Sequence, residues 1–310
     1  MVKHKSKFEG PEKKLEILLN KKLPDLKDNS CKKWDRVVKK SHAKIISYIS
    51  NGTLDAYLLS ESSLFVWDDR ILMITCGDTT LVDAIPDILE IIGDAKPVLF
   101  YECRNFNFPK LQPSDFDKDI EKIKKHIDGS FCRLGPSSSN HINVFSSEVS
   151  QTNQSADETL QILMDDFDPS LLDKFSNGNG NNVNNIITKT GIADIYDGMK
   201  LDAYLFSPHG FSINGILNKS YFTIHVTPQS KFSYVSFETN FIEDNYTETI
   251  KKVVSIFKPE HFSVILTTNQ NSTDDKMYSV NEGYKITENE HSTLNSGYKV
   301  VFRNYRKEMK

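Results

Sequence analysis

Short runs of alternating hydrophobic and polar residues dominate the first third of the chain, and they predict a meander of antiparallel strands. The runs share apolar side chains at strand spacing and cover residues 43–50, 56–59, 64–67 and 71–75. Asn51-Gly52 separates the first two runs and is a strong signal for a tight hairpin turn. Three antiparallel connections in succession therefore favour a sheet built from neighbouring segments of the chain.

Apolar residues recur at helical spacing in several other segments, which we predict to be amphipathic helices. The segments are residues 11–22, 34–40, 79–92, 115–127, 159–175 and 246–257. Pro11 suits the first turn of a helix, whereas Pro86 is expected to kink the helix over 79–92. In the helix over 11–22, Glu12 and Glu16 would lie one turn apart on a shared face.

The remaining pattern predicts further strands in both halves of the chain. They lie at 98–101, around 132 and 144, and at 202–206, 212–217, 221–227, 232–238 and 262–268. The Asn- and Gly-rich segment 177–185 is predicted to be a mobile surface insertion, and the last forty residues are weakly patterned apart from 298–302. A meander, a helix and a return strand occur twice. The pattern therefore predicts an α+β fold with antiparallel sheets and an internal duplication.

Bulk composition narrows the class of protein without identifying it. The chain has 310 residues, of which 38% are hydrophobic and 26% charged, as expected for a globular protein of one large domain or two ordinary ones. A net charge of −4 gives no sign of a nucleic-acid-binding surface, and no apolar run has the length of a membrane span. The basic N-terminus has no apolar segment behind it, so we predict no secretory signal and a cytoplasmic location.

The four cysteines form no CxxC pair, so the sequence predicts neither a zinc site nor another metal site. In the predicted cytoplasmic location they are expected to be reduced thiols. Cys76 differs from Cys31, Cys103 and Cys132 in its position, because it lies between a predicted strand and Gly77.

A polar interruption at Ser60-Glu61-Ser62-Ser63 stands inside the apolar run 58–66. Polar groups in a half-buried sheet need hydrogen-bond partners or a chemical role. Taken alone, the tetrapeptide is also compatible with an ordinary bulge or tight turn between two strands.

In its context this segment resembles a known self-cleavage site. The sequence LLSESSLFV at 58–66, with TCG at 75–77, is similar to the cleavage site of the eukaryotic S-adenosylmethionine decarboxylase proenzymes. FEGPEK at 8–13 resembles the N-terminal FEGxEK of that family, and FSPHGFSING at 206–215 resembles its second active-site segment. TIHVTP at 223–228 and FSYVSFETN at 232–240 continue the resemblance in the same order, which runs from about residue 7 to about residue 268.

The resemblance implies a particular fold and a particular chemistry. The fold would be one domain, residues 1–310, in a four-layer αββα sandwich of two antiparallel sheets packed face to face. The chain would cut itself between Glu61 and Ser62 into a small chain, 1–61, and a large chain, 62–310. Ser62 would become a covalent pyruvoyl cofactor, which would form a Schiff base with S-adenosylmethionine and release CO2. The product would be the aminopropyl donor for spermidine and spermine synthesis.

The resemblance also assigns roles to individual residues. In self-cleavage, Ser212 would stabilise the intermediate and His225 would remove the α-proton of Ser62. In decarboxylation, Cys76 would return a proton to the substrate. The other residues that it places at the active site are the acidic pair Glu9 and Glu12, the adenine-stacking Phe8 and Phe206, and the substrate-binding Glu61 and Gln229. Gln229 stands where better-known relatives carry a Glu, so we expect looser substrate binding.

A second site is implied between the sheets, where mammalian relatives hold putrescine. Its members here would be Glu16, Asp157, Thr159 and Glu238. The pattern departs from the mammalian one because Gln161 replaces a Glu and Ile74 replaces a Lys, whereas Lys14 stands where plant relatives use a built-in Arg. We therefore predict that putrescine is at most a weak effector of this chain, although the nearby Glu102 complicates the comparison.

Two alternative functions are compatible with parts of this pattern. One is a catalytically inactive paralogue that serves as a regulatory subunit, although such paralogues lack the cleavage serine or its helpers. The other is a pyruvoyl enzyme that acts on a different amino acid. The resemblance also predicts a homodimer of processed heterodimers.

Overall fold

The structure is a computed structural model, which describes residues 10–28, 30–148, 155–177, 181–270, 274–277 and 283–308. It contains two antiparallel sheets of eight strands each. The first sheet contains β1 (Lys13–Leu19), β2 (Ile45–Ser50), β3 (Asp55–Leu59), β4 (Ser62–Val66), β5 (Arg70–Thr75), β6 (Pro97–Arg104), β7 (Gly129–Leu134) and β8 (Ile142–Ser147). Its strand order is β2-β3-β4-β5-β1-β6-β8-β7.

The second sheet repeats this arrangement. Its strands are β9 (Glu158–Asp165), β10 (Lys200–Leu205), β11 (Phe211–Leu217), β12 (Ser220–Thr227), β13 (Tyr234–Thr239), β14 (His261–Thr268), β15 (Tyr284–Thr293) and β16 (Lys299–Lys307). Their order is β10-β11-β12-β13-β9-β14-β16-β15, which becomes the order of the first sheet when eight is subtracted from each number. The predicted internal duplication is therefore visible in the topology.

Helices cover the outer face of each sheet and complete the four predicted layers. The α-helices of the described residues are α1 (Lys32–Lys40), α2 (Ile85–Ile92), α3 (Phe116–Ile123), α4 (Val183–Thr190) and α5 (Thr247–Phe257). Leu15 and Ile17 of β1 pack with Trp34 of α1, and Ile162 of β9 packs in the same cluster as Phe257 of α5. None of these helices has both the length and the apolar character needed to cross a bilayer.

Between the sheets, the described residues form two separate apolar clusters. One is centred on Phe100 and Phe302, and the other on Phe65 and Tyr221. The inner faces also carry buried charged and polar side chains, among them Lys14, Glu16, Arg70, Glu102, His225 and Glu238. Charges are rarely buried in a protein interior unless they are paired, so this layer is where a site is expected.

The prediction of a helix over 11–22 is wrong. The segment forms β1, which pairs with β5 on one side and β6 on the other and has every residue buried. Because both faces of β1 are covered, Leu18 on the inner face adds to Leu15, Ile17 and Leu19 on the outer face, and the four together imitate helical spacing. Glu12 and Glu16 are an even number of residues apart, so they share a face in an extended chain as well.

The prediction of a helix over 159–175 is wrong for the same reason. Strand β9 lies between β13 and β14, with Leu160, Ile162 and Met164 towards the outer cluster. Only the short 3-10 helix Pro169–Phe175 follows it. A central strand that is buried on both faces does not show the alternation that identifies a half-buried strand.

Three smaller corrections concern boundaries. The segment 79–92 forms a 3-10 turn, Leu81–Ala84, and then α2, in which Pro86 lies in the first turn instead of kinking the helix. Part of the predicted surface insertion forms the start of α4, whose N-cap Asn182 accepts a hydrogen bond from the Asn185 backbone; residues 178–180 lie outside the described residues. The weakly patterned C-terminal region contains β15 and β16, and the exposure of β15 explains its polar sequence.

Candidate active site and buried ion cluster

The turn between β3 and β4 contains the proposed scissile peptide. Leu59 and Ser62 are paired across the two-residue turn Ser60-Glu61. Ser62 has a φ of 136°, a conformation that residues with a side chain rarely adopt, so its backbone is strained. Its side chain is buried, and Oγ has no hydrogen-bond partner among the described residues. A strained peptide thus adjoins a buried hydroxyl that is free to react.

The carbonyl of Glu61 is held by the residue that follows β5. Its oxygen accepts a hydrogen bond from the Cys76 backbone N–H, at 2.9 Å, and one from Cys76 Sγ, at 3.4 Å. Two donors on a carbonyl oxygen favour the build-up of negative charge there when a nucleophile attacks. Burial, followed by the nearby carboxylates of Glu61 and Glu12, raises the pKa of the Cys76 thiol well above its usual value. Cys76 therefore keeps its proton at neutral pH.

His225 lies on β12 opposite Ser212 of β11. Its Nδ1 is 2.8 Å from Ser212 Oγ, and its Nε2 is 2.9 Å from Thr223 Oγ1. Burial lowers the pKa of the imidazole to about 3. The ring is therefore neutral at physiological pH and has one nitrogen lone pair that can accept a proton.

A hydrogen bond between the sheets connects the turn to the histidine strand. Ser63 Oγ of β4 donates to Asn214 Oδ1 of β11, at 2.7 Å. Thr223 Oγ1 donates to the same oxygen, at 2.9 Å. The two sequence segments singled out by the resemblance, one in each sheet, are thus joined in the sandwich interior.

Glu12 lies at the same end of the sandwich. Its Oε1 accepts a hydrogen bond from Ser236, which is the register partner of His225 on β13. Burial raises the pKa of the Glu12 carboxyl to about 8, the hydrogen bond from Ser236 opposes this rise, and Glu238 adds to it. The predicted partners Phe8 and Glu9 lie outside the described residues.

The predicted substrate-binding residues lie near the ends of strands. Phe206 follows β10, is partly buried and packs against Tyr204 with ring centroids 4.9 Å apart. Gln229 follows β12, and its backbone N–H donates to Thr227 O. Burial, together with Asp78, raises the pKa of the Glu61 carboxyl to about 7. The roles given to Phe206, Gln229 and Glu61 stay predictions.

Lys14 occupies the centre of the predicted effector pocket. It projects from the inner face of β1, and its Nζ lies 3.1 Å from Glu238, 3.6 Å from Glu16 and 3.9 Å from Glu102. Burial opposes the charge of this ammonium, but the three carboxylates outweigh it and raise the pKa of Lys14. Glu102 also accepts a hydrogen bond from Gln161 Nε2, at 2.6 Å.

A second cation, Arg70 of β5, completes the cluster. Its guanidinium is 3.0 Å from Asp157 and 3.1 Å from Thr159 Oγ1, and it also contacts Glu16. All four predicted pocket residues are thus brought together around two cations that belong to the chain itself. Tyr298 donates to Asp157, at 2.8 Å, and a cleft of about 440 Å³ at the surface is lined by both residues and by Arg70.

Sequence reasoning missed several members of these clusters. Arg70, Tyr298, Ser63, Asn214 and Thr223 carried no prediction, and Lys14 was considered only through the resemblance. A correct strand assignment for β1 would have placed Lys14 between Glu12 and Glu16 on one face. Likewise, the spacing of two between Ser212 and Asn214, and between Thr223 and His225, puts each pair on one face of its strand.

These features define a class of protein. A strained Glu-Ser turn with a free buried hydroxyl, a polarised carbonyl and a neutral histidine, inside a duplicated α+β sandwich, is what a self-processing proenzyme requires. The family model of adenosylmethionine decarboxylase matches residues 5–306. The chain belongs to this family.

Individual relatives agree with this assignment. The S-adenosylmethionine decarboxylase proenzyme of Xenopus laevis is 34% identical over 320 residues, which cover 97% of this chain and 95% of the relative. That of Dictyostelium discoideum is 31% identical over 324 residues, covering 96% and 86%. A crystal structure of a Trypanosoma brucei AdoMetDC monomer superposes with a TM-score of 0.64 at 25% identity and covers 79% of this chain and 99% of that one.

Proposed function

We propose that this chain is an S-adenosylmethionine decarboxylase that makes its own cofactor by cleavage between Glu61 and Ser62. The observation that carries the proposal is the Ser62 turn, where a positive φ, an unpartnered buried hydroxyl and a doubly hydrogen-bonded carbonyl occur together. Ser62, Cys76, Ser212 and His225 are all present, and no observation favours the inactive paralogue.

In the first step, Ser62 Oγ attacks the carbonyl carbon of Glu61. The new C–O bond replaces the peptide C–N bond, and the hydroxyl proton ends on the nitrogen, which becomes a free amine. The negative charge that develops on the carbonyl oxygen is stabilised by the Cys76 donors. In the proposed mechanism Ser212 becomes a further donor when its hydroxyl turns from His225 Nδ1 to this oxygen. Relief of the strained φ at Ser62 favours this direction.

In the second step, His225 removes the α-proton of Ser62. The Cβ–Oγ bond of the ester breaks, and Glu61 leaves as a carboxylate that retains this oxygen. The dehydroalanine left at residue 62 takes up water and loses ammonia, which gives a pyruvoyl group at the start of the 62–310 chain. The low pKa of His225 keeps the imidazole neutral, as a base requires.

The pyruvoyl group supplies an electron sink for the loss of CO2 from the substrate. Around it, Cys76 holds a proton on Sγ that can be delivered to the substrate carbon, because burial keeps the thiol neutral. Glu12, whose pKa lies near 8, exchanges protons close to physiological pH at the same end of the sandwich. Stacking of the adenine ring between Phe8 and Phe206, and binding of the ribose by Gln229, complete the proposed substrate site.

We propose that putrescine activates this chain weakly or not at all. A diamine would bring two positive charges to the buried carboxylates, and Lys14 and Arg70 already supply two. Their ion pairs involve Glu16, Asp157 and Glu238, so a further cation would have to displace one of them. Strong stimulation of cleavage or decarboxylation by added putrescine would contradict this part of the proposal.

We further propose a homodimer of processed heterodimers in the cytoplasm. The cysteines described in the structure, Cys31, Cys76, Cys103 and Cys132, are free thiols, which supports a reducing compartment. Size-exclusion chromatography with light scattering tests the dimer, because a processed monomer would elute near 35.4 kDa.

The test of the proposed function is the intact mass of the denatured protein. We expect two chains that meet at Glu61 and Ser62, the larger with the mass of a pyruvoyl terminus. A Ser62→Ala variant should give one uncut chain. A single uncut wild-type chain, or release of CO2 from another amino acid but not from S-adenosylmethionine, would contradict the proposal.

A further inference from the structure

Three polar side chains connect the strained turn to His225, and none of the steps above uses them. Ser63, Asn214 and Thr223 are each 1% exposed or less, and they form a continuous chain of hydrogen bonds between the two sheets. Burying such groups is costly unless they are satisfied. Here Asn214 Nδ2 has no partner among the described residues, although its Oδ1 has two. The side chain of Asn214 therefore takes part in this network only as a hydrogen-bond acceptor, through Oδ1.

The direction of each hydrogen bond follows from that oxygen. Asn214 Oδ1 can only accept, so Ser63 and Thr223 both donate their hydroxyl protons to it. A hydroxyl has one proton, and Thr223 Oγ1 must therefore accept in its contact with His225 Nε2. The Nε2 atom of His225 carries the ring proton. The lone pair of the neutral ring is then on Nδ1, which faces Ser212.

We propose that Asn214 and Thr223 are positioning residues for self-cleavage, an inference that rests on the proposed cleavage at Ser62. Asn214 holds Ser63 against the opposite sheet and so fixes the residue that follows Ser62. Thr223 holds His225 in the tautomer whose Nδ1 accepts the α-proton. Neither residue touches the reacting atoms, and each acts through its neighbour.

The two contacts serve different steps, which makes the proposal testable. Loss of the Ser63 contact releases the strained turn and slows the acyl shift, so no ester accumulates. Loss of the Thr223 hydroxyl leaves the shift intact but allows the wrong tautomer of His225, so the elimination slows and the ester accumulates. Hydroxylamine cleaves esters much faster than peptides, and it therefore distinguishes the two defects.

The experiment follows freshly translated, labelled full-length chain until it is cut into the 1–61 and 62–310 fragments. For Thr223→Val, which keeps the side-chain shape, we expect cleavage about 10- to 100-fold slower than wild type. This is less than the roughly 100- to 10,000-fold contribution of a general base, because His225 itself is retained. Hydroxylamine should restore cutting of this variant. Thr223→Ser, which keeps the hydroxyl, should cleave within about threefold of wild type.

For Ser63→Ala we expect slower cleavage that hydroxylamine does not restore, and Asn214→Leu should show the same block at the first step. The matched control is Asn304→Leu, which removes a buried Asn on β16 that binds Ser263 and Asn140. It should lower thermal stability without changing the cleavage rate. Each variant is compared at equal folded fraction, measured by the resistance of the labelled chain to brief protease digestion.

The inference is overturned if Thr223→Val cleaves at the wild-type rate, or if its defect does not respond to hydroxylamine. It is also overturned if Asn304→Leu slows cleavage as much as Asn214→Leu, because the effect would then follow stability alone. Failure of the wild-type chain to cut at Ser62 would instead overturn the proposed function.

Discussion

Single residues in this protein have protonation states that are set mainly by burial. Cys76 and Glu12 have raised pKa values and His225 has a lowered one, and in all three burial is the largest cause. Each of the three is therefore biased towards its neutral form. A site made of neutral acids and a neutral base can move protons without carrying buried charge, which suits chemistry inside a closed sandwich.

Glu12 should make the stability of the protein depend on pH. Its pKa is about 8 in the fold and near 4.5 when unfolded, so the native state binds the extra proton between these values. The free energy of unfolding should therefore fall as pH rises from 4.5 to 8, by up to about 1.4 kcal/mol per pH unit from this group. In Glu12→Gln this contribution should be absent, as measured by urea unfolding at pH 5.5 and 8.

The matched control for this measurement is Glu90→Gln, because Glu90 is exposed on α2. Its unfolding curves should follow the wild-type pH dependence. If the difference between Glu12→Gln and wild type is the same at both pH values, the carboxyl does not titrate as described.

Cys76 should affect decarboxylation more than self-cleavage. In Cys76→Ala the backbone N–H still donates to the Glu61 carbonyl, so cutting should slow by less than about tenfold. The proton held on Sγ is lost, and kcat for CO2 release should fall about 100-fold. Assays of both steps should include Cys132→Ala, a thiol on β7, as the control. Equal losses in both steps would contradict the separate roles of the backbone and the thiol.

At the scale of elements, β1 is the strand that sequence reasoning predicted wrongly as a helix. It also contributes the central cation of the buried ion cluster. Its pattern was taken for a helix because Leu15, Ile17 and Leu19 point to the helical layer while Leu18 points to the other sheet. The strands of the meander, by contrast, were predicted correctly, although β3, β4 and β5 are buried at every residue. Their short apolar runs are separated by turn signals such as Asn51-Gly52, whereas no turn signal divides the longer apolar segment that contains β1.

The site residues likewise divide into those that local sequence motifs predict and those that depend on contacts between the two sheets. Local motifs predicted Ser62, Cys76, Ser212 and His225 as site residues. The structure places Cys76 against the carbonyl that precedes Ser62 and places Ser212 against His225, while their roles stay predictions. The hydrogen bond between Ser63 and Asn214 was not found, because it joins residues 151 positions apart and depends on how two sheets face each other. Local sequence patterns contain little information about such contacts between layers.

Replacement of Lys14 on β1 should destabilise the fold and create a diamine site. Lys14→Met leaves Glu16, Glu102 and Glu238 without their shared cation, and unfolding should require about 3–5 kcal/mol less free energy. Putrescine should then raise the melting temperature of the variant but not of wild type. The control Lys21→Met removes an exposed ion pair with Asp94 and should leave the free energy of unfolding nearly unchanged.

If putrescine stabilises wild type as much as Lys14→Met, then the lysine does not occupy the diamine position. If it stabilises neither, then the pocket formed by the substitution cannot hold the diamine.

At the scale of the whole molecule, the two products of the proposed cleavage would share one sheet. Strand β1, in the proposed small chain, lies between β5 and β6 of the proposed large chain, and β3 pairs with β4 across the proposed cut. The 1–61 chain therefore cannot leave without opening the centre of the first sheet. After complete cleavage, native size-exclusion chromatography should give one species that contains both chains.

The same sample should separate into two chains only at urea concentrations that also abolish the circular dichroism signal. Release of the small chain under native conditions would mean that the sheet does not survive cleavage.

The duplicated topology gives the turn at Ser62 a counterpart. Strands β11 and β12 are joined by the same kind of two-residue hairpin, with Leu217 and Ser220 paired across Asn218-Lys219. There the positive φ, 52°, falls on Asn218, a residue type that tolerates it, whereas in the first copy it falls on Ser62. The two repeats thus differ in which hairpin residue has the positive φ. The backbone of the first copy stores strain at this hairpin, whereas the second copy has an ordinary, unstrained turn.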